Sequence, residues 1–240
     1  MQVLISPISL EEAFAVVEGG ADVVDIKNVK EGSLGASFPW IIREIVKSLA
    51  GRNVTFSATL GDLPFKPGTA SLAALGACAA GARYVKAGLH GVSGLDEAVS
   101  MMTAVARSCR EYDPSIVVVA AGYADYRRFG GISPQTLVAA ASRAACDLVM
   151  VDTAFKDGQS LFDALGLNEI TDFVGAAHAA GMKVALAGSV KLEHLQELHR
   201  IGPDVVGIRG AVCAGRDRNT RIDPDLVRRF VSAAHARISA

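Results

Sequence analysis

Eight short runs rich in β-branched residues recur along this chain, each separated from the next by a longer stretch rich in Ala, Leu and Glu, and this alternation limits the fold more than any other feature. The runs are QVLIS (2 to 6), DVVDIK (22 to 27), NVTFSA (53 to 58), RYVKAG (83 to 88), IVVVAAG (116 to 122), DLVMVD (147 to 152), KVALAG (183 to 188) and DVVGIRG (204 to 210). Their apolar residues are nearly continuous, as in the strands of a parallel sheet covered by helices. Eight strand–helix units in 240 residues match an α/β, (β/α)₈ TIM barrel, which takes about 250. The alternative is a doubly wound open sheet, against which no GxGxxG or GxxxxGKS/T follows the first strand. Pro/Gly/Ser linkers and charge runs are absent, so residues 1–240 are read as one barrel domain.

The intervening stretches carry helix-start signals: Ser9 before LEEAFAVVEGG, Ser133-Pro134 before QTLVAAASR, and Asp223-Pro224 before DLVRRFVSAAHARI. The turns GGADVV, GARYV, AACDLV, AGMKVA and IGPDVV form a weak internal repeat at helix ends, each leading directly into a strand.

Composition narrows the function classes. The chain is 50% hydrophobic and 20% charged, enough for a large core, and a net charge of −1 leaves no nucleic-acid footprint. Cys78, Cys109, Cys146 and Cys213 lie more than 30 residues apart without CxxC spacing, so they read as reduced thiols of a cytoplasmic protein. No basic leader precedes an apolar run and no stretch of about 18 apolar residues occurs, so neither export nor a membrane partner is expected. The five histidines form no i,i+4 ligand pair, and no metal or cofactor is called for. The expected partner is a small-molecule substrate, with a homo-oligomer left open.

In a (β/α)₈ barrel the reacting groups sit at the C-terminal ends of the strands, so strand position becomes a functional indicator. Asp25 and Lys27 are two apart and share a strand face, with Lys27 at the end of the second run. Lys86 closes the fourth run, Asp152 the sixth, and Lys156 follows in DTAFKDG. With eight lysines against sixteen arginines, three lysines on one rim stand out. Any one charged strand end is commonly a solvated edge or half of an ion pair. Together they suggest more, since buried charges are rare unless paired or functional. Lys183, at the start of the seventh run, falls on the opposite rim and is read as solvated.

A neutral lysine forms a Schiff base with a carbonyl compound, and a second lysine or an aspartate can move protons. Lowering an amine from a pKa of about 10.4 to about 7 costs its ammonium form about 4 to 5 kcal/mol. A second lysine about 6 Å away supplies about 3 kcal/mol of that at an effective dielectric near 20. The sequence leaves open which amine is neutral.

The loops after strands seven and eight often hold phosphate in such barrels. Here they read AGSVK and IRGAVCAGRDRNTR, which makes Gly188, Ser189, Arg209 and Gly210 the phosphate-binding candidates, with Arg216, Arg218 and Arg221 adding positive charge. GDLPFKPGT (61 to 69) reads as a rigid loop in which Asp62 and Lys66 are available to a substrate, or in which Thr69 or Ser71 caps the next helix.

DIKNVKEGSLGASFPW (25 to 40), GDLPFKPGTASLAALG (61 to 76), YVKAGL, VVAAGYAD, DTAFKDG, ALAGS and RGAVC closely resemble the (5-formylfuran-3-yl)methyl phosphate synthases of methanofuran biosynthesis, through nearly the whole chain. One departure is Val29, where that family is expected to carry proline. The resemblance implies a lyase that joins two glyceraldehyde 3-phosphate molecules into a phosphorylated furan aldehyde in one-carbon carrier biosynthesis. It implies Lys27 as the Schiff-base lysine and Lys86 as general base. Asp25 would orient or neutralise Lys27, and Asp152 with Lys156 would move protons during elimination and ring closure. Composition and spacing alone equally allow a Schiff-base aldolase on sugar phosphates, or a non-catalytic barrel that binds a phosphorylated metabolite.

Overall fold

The computed structural model describes residues 1–236. Eight parallel strands close on themselves: β1 (Gln2–Ile5), β2 (Val23–Ile26), β3 (Thr55–Pro64), β4 (Tyr84–Gly91), β5 (Val117–Tyr123), β6 (Leu148–Asp152), β7 (Lys183–Leu186) and β8 (Val205–Ile208). The closing register sets Gln2 opposite Val205 and Ile5 opposite Ile208. That pairing excludes the open sheet, and the (β/α)₈ barrel expected from the alternation is the fold.

Among the described residues nine α-helices occur: α1 (Leu10–Glu18), α2 (Pro39–Ser48), α3 (Pro67–Ala79), α4 (Leu95–Tyr112), α5 (Pro134–Arg143), α6 (Leu161–Ala164), α7 (Leu167–Ala179), α8 (Leu195–Ile201) and α9 (Pro224–His235). The expected caps hold. Ser9 accepts from Glu12 N at 3.1 Å, Ser133 from Thr136 N at 3.2 Å, and Asp223 from Asp225 N at 2.8 Å, each meeting an orphan donor of a first turn. The last two residues of DLVRRFVSAAHARI lie outside the described residues. No described helix is long and apolar enough to cross a membrane.

Strand alternation splits the core in two. Residues such as Val24, Ala58, Val85, Val118, Val149 and Val206 face the helices, while Leu4, Val23, Val119, Leu148, Met150 and Val205 fill the barrel itself. The inner layers are apolar at the N-terminal end and turn polar toward the other mouth. There the carboxyl ends of the strands and their following loops meet.

Two local expectations are corrected. The stretch 61–64 is not loop but the end of β3, which continues beside β4 through register shifts after Thr59 and Asp62. Gly61, at φ +113°, permits this by adopting a backbone that other residues rarely take. The helix that follows is not capped by Thr69 or Ser71, both of which lie inside it; Lys66 precedes Pro67 at the first helical position.

Candidate active site

Strand β2 builds the centre of the mouth. Asp25 is completely buried and Lys27, one residue past the strand, is 8% exposed. Across the barrel, β4 brings Lys86, itself 1% exposed, so that its Nζ lies 2.6 Å from Asp25 Oδ1. The contact is an ion pair sealed from solvent. Ser6 Oγ, just past β1, donates to the other oxygen, Asp25 Oδ2, at 2.9 Å.

Burial pushes the Asp25 carboxyl up, but the Lys86 and Lys27 charges outweigh it and hold it below its ordinary value. Burial has the larger effect on Lys86: with the positive charge of Lys27 it lowers that amine more than Asp25 restores it.

A second pair forms at the end of β6. Lys156 Nζ lies 2.6 Å from Asp152 Oδ1 and donates to Thr153 Oγ1 at 3.0 Å, while Thr153 N donates to the same Asp152 oxygen at 2.7 Å. Buried Asp125 anchors this loop by accepting from Ala154 N at 2.7 Å and Phe155 N at 3.0 Å. Burial raises Asp152, yet Lys156, Lys27 and these hydrogen bonds bring it down to about 2. Burial likewise lowers the Lys156 amine.

Lys27 is the odd member. The cluster holds three lysines and two carboxylates; Lys86 pairs with Asp25 and Lys156 with Asp152, while Lys27 Nζ donates to the Ser33 carbonyl at 3.1 Å. The loop after β2 supplies that carbonyl and is tied down beside it. Ser33 Oγ donates to Thr153 O at 2.8 Å, Thr59 Oγ1 donates to Gly35 O at 2.7 Å, and Leu34 is fully buried among the barrel's inner residues. Asp62 holds the same loop by accepting from Leu34 N at 3.2 Å, and it also accepts from Tyr123 Oη. Gly32, at φ +128°, has no room for a side chain against Asp62.

A cavity of about 820 Å³ opens over this cluster, bordered by Asp25, Lys27, Asp152 and Lys156 and by the loops after β7 and β8. Gly188 and Ser189 both take positive φ, +109° and +48°. For serine that conformation costs about 1 to 2 kcal/mol, a strain typical of binding sites. A methyl on Gly188 would lie 2.9 Å from Thr153 Cγ2, so glycine is also needed for close packing against β6. The N–H groups of Ser189, Val190, Gly210 and Ala211 belong to residues bordering the cavity and, among the described residues, donate to no protein acceptor.

Four of the five catalytic candidates, Asp25, Lys27, Asp152 and Lys156, therefore border one cavity, and Gly188, Ser189 and Gly210 border it too. Lys86 does not; it lies beneath, behind Asp25. Arg209 borders the cavity as well, but its guanidinium is engaged within the protein. It donates to Glu12 Oε2 at 2.7 Å, Glu12 Oε1 at 3.2 Å, Ser6 O at 2.9 Å, Arg218 O at 3.1 Å and Thr220 O at 3.4 Å. A guanidinium has five N–H donors, so none remains for a phosphate. Its place is to tie α1, β1 and the loop after β8 together. Lys66 is exposed and outside the cavity, and Lys183 is exposed on the opposite rim, as expected.

Sequence reasoning missed Glu12, Ser6, Ser33 and Thr153. Glu12 was hidden because an acidic residue in a first helical turn is ordinarily a dipole partner. The three hydroxyl residues carry no spacing signal at all.

The fold and site define a (β/α)₈ barrel whose C-terminal mouth holds a lysine–carboxylate cluster beneath a substrate-sized cavity. The family model described as 4-HFC-P synthase matches residues 3–231, and the chain belongs to that family of enzymes. It is 54% identical over 220 residues to the (5-formylfuran-3-yl)methyl phosphate synthase of Methanobrevibacter smithii, covering 92% of each chain. It is 50% identical over 235 residues to that of Archaeoglobus fulgidus, covering 98% of this chain and 100% of the relative. Among solved structures, a 3-hexulose-6-phosphate synthase is similar with a TM-score of 0.66 and 17% identity, covering 98% of this chain and 100% of that one. A phosphoribosyl anthranilate isomerase from Thermus thermophilus has a TM-score of 0.63 and 16% identity, covering 97% and 98%. At such identity these two speak for the barrel alone.

Proposed function

We propose that this enzyme condenses two molecules of glyceraldehyde 3-phosphate into (5-formylfuran-3-yl)methyl phosphate through a Schiff base on Lys27, in the biosynthesis of a methanofuran-type one-carbon carrier. The observation that carries the reading is the charge pairing: Lys27 is the one amine of three without a carboxylate partner, and it borders the cavity. Relatives of about half identity over nearly the full chain bear the name of this activity. The atoms balance when one phosphate and two waters leave.

Lys27 Nζ adds to the aldehyde carbon of one substrate and water departs, leaving an iminium. The iminium acidifies the neighbouring C–H. Loss of that proton gives an enamine, whose electron pair expels phosphate from the next carbon and restores the iminium. Carbon–carbon bond formation with the second triose, ring closure through a hydroxyl and loss of two further waters complete the furan, and hydrolysis, which takes back the water released on imine formation, frees Lys27. Asp25 holds Lys27 by charge and stands between it and Lys86, so Lys86 exchanges protons with the reacting centre through Asp25. Lys156 and Asp152 handle the protons of elimination and ring closure at the cavity wall. Backbone amides of Ser189, Val190, Gly210 and Ala211 receive a phosphoryl group.

The test is incubation with glyceraldehyde 3-phosphate, measuring furan product and inorganic phosphate and trapping the imine with borohydride. A furan aldehyde, phosphate at one equivalent per product, and an adduct mapping to Lys27 are expected. A reversible aldol product without phosphate release would instead make the enzyme a Schiff-base aldolase. Phosphometabolite binding with no adduct would make it a non-catalytic barrel.

A further inference from the structure

The loop after β8 carries a cation that the reaction so far leaves without a task. Arg218 borders the cavity and is half-buried, yet among the described residues its guanidinium has no ion-pair or hydrogen-bond partner. The neighbouring arginines differ from it. Arg209 is neutralised by Glu12, and Arg221 pairs with Glu11 at 3.0 Å on the surface. Arg216 and Arg229 border the cavity but are exposed.

The backbone that presents Arg218 is fixed. Arg209 Nε donates to Arg218 O at 3.1 Å, Thr220 N to Asp217 O at 2.9 Å, and Ala214 N to Arg221 O at 2.9 Å, with an antiparallel bridge from Cys213 to Ile222 closing the loop. Arg218 stands over Gly210, since a methyl there would lie 3.5 Å from Arg218 Cβ. Its charge reaches Asp152 and Lys156, and burial lowers it from its ordinary value. A permanently charged fork beside unpartnered backbone amides fits the dianionic head of a phosphate monoester.

We propose that Arg218 binds the substrate's phosphoryl group at this mouth, closing over the amides of Ser189, Val190, Gly210 and Ala211, and so selects phosphorylated over unphosphorylated trioses. The inference rests on reading those amides as a phosphate site. It assigns to Arg218 the side-chain contact that Arg209, fully engaged with Glu12 and the loop carbonyls, cannot supply.

The test uses the full-length enzyme and its Arg218→Met and Arg218→Lys variants, with folding checked by thermal melting and Arg218→Gln in reserve should the Met variant fail to fold. Inorganic phosphate is titrated by calorimetry, KM is measured for glyceraldehyde 3-phosphate, and unphosphorylated glyceraldehyde is trapped with borohydride. Arg218→Met should bind phosphate about 10- to 100-fold more weakly and raise KM by a similar factor. Capture of glyceraldehyde on Lys27 should be unchanged, and Arg218→Lys should recover part of the affinity. Wild-type phosphate affinity and KM in the folded Arg218→Met variant would overturn the proposal. Arg218-dependent phosphate binding in an enzyme that makes no furan would leave Arg218 in place and remove the proposed reaction instead.

Discussion

Lys86 Nζ and Asp25 Oδ1 lie 2.6 Å apart with both side chains sealed inside the barrel. The pair puts a positive charge beneath the cluster without exposing the Lys86 amine to the cavity. It also separates the places of two lysines that a strand count treats alike: Lys27 borders the cavity, and Lys86 lies behind a carboxylate.

From this separation, Lys27→Arg should keep the charge and the fold but abolish both the borohydride adduct and the product, because a guanidinium forms no imine under these conditions. Lys86→Ala should instead retain part of the trapping while turnover falls about 10² to 10⁴-fold, the usual range for a lost general base. Adduct mapping by mass spectrometry checks both. An adduct that persists in Lys27→Arg and maps to Lys156 would reassign the nucleophile.

Breaking the buried pair should also be felt in stability. Lys86→Met leaves the Asp25 carboxylate with Ser6 as its one hydrogen-bond donor among the described residues, and removing one partner of a buried pair typically costs about 3 to 5 kcal/mol. Asp25→Asn combined with Lys86→Met should recover much of that loss, because no uncompensated charge remains. Urea unfolding of the two single variants and the double variant measures the difference.

Glu12→Ala is expected to cost a similar amount, about 3 to 5 kcal/mol, by stranding the buried Arg209 guanidinium. Because Arg209 also holds the carbonyls of Arg218 and Thr220, this variant should raise KM as well as lower the melting temperature. A change in melting temperature alone would show that the loop after β8 holds its shape without the clamp.

Asp152 gives the acid side of the stability curve a definite sign. Its folded value is depressed, from 3.8 to about 2, so its contribution is complete above the unfolded value and is lost as pH falls through the folded one. The loss should fall between about pH 4 and 2 and amount to about 2 kcal/mol. Asp152→Asn should flatten the pH dependence in that window when denaturant midpoints are followed against pH. An unchanged slope would remove Asp152 as its source.

The eight strands, the barrel they form and the side on which the lysine–carboxylate cluster lies were legible in the sequence for a local reason. Strand periodicity fixes which side chains share a face, so Asp25 and Lys27 had to point together, and the strand-end rule placed Lys86 and Asp152 toward the same mouth. GDLPFKPGT misled because Pro and Gly also occur in a strand that bulges: Gly61 lets β3 run on to Pro64. Which carboxylate pairs with which amine, and which arginine is free to meet a phosphate, depend on distances between segments far apart in the chain. Glu12 reaches Arg209 only because barrel closure brings β8 beside β1 and the start of α1, and that pairing in turn leaves Arg218 as the half-buried uncommitted guanidinium bordering the cavity. Charge compensation is a property of three-dimensional neighbours, so the tertiary structure alone decided it.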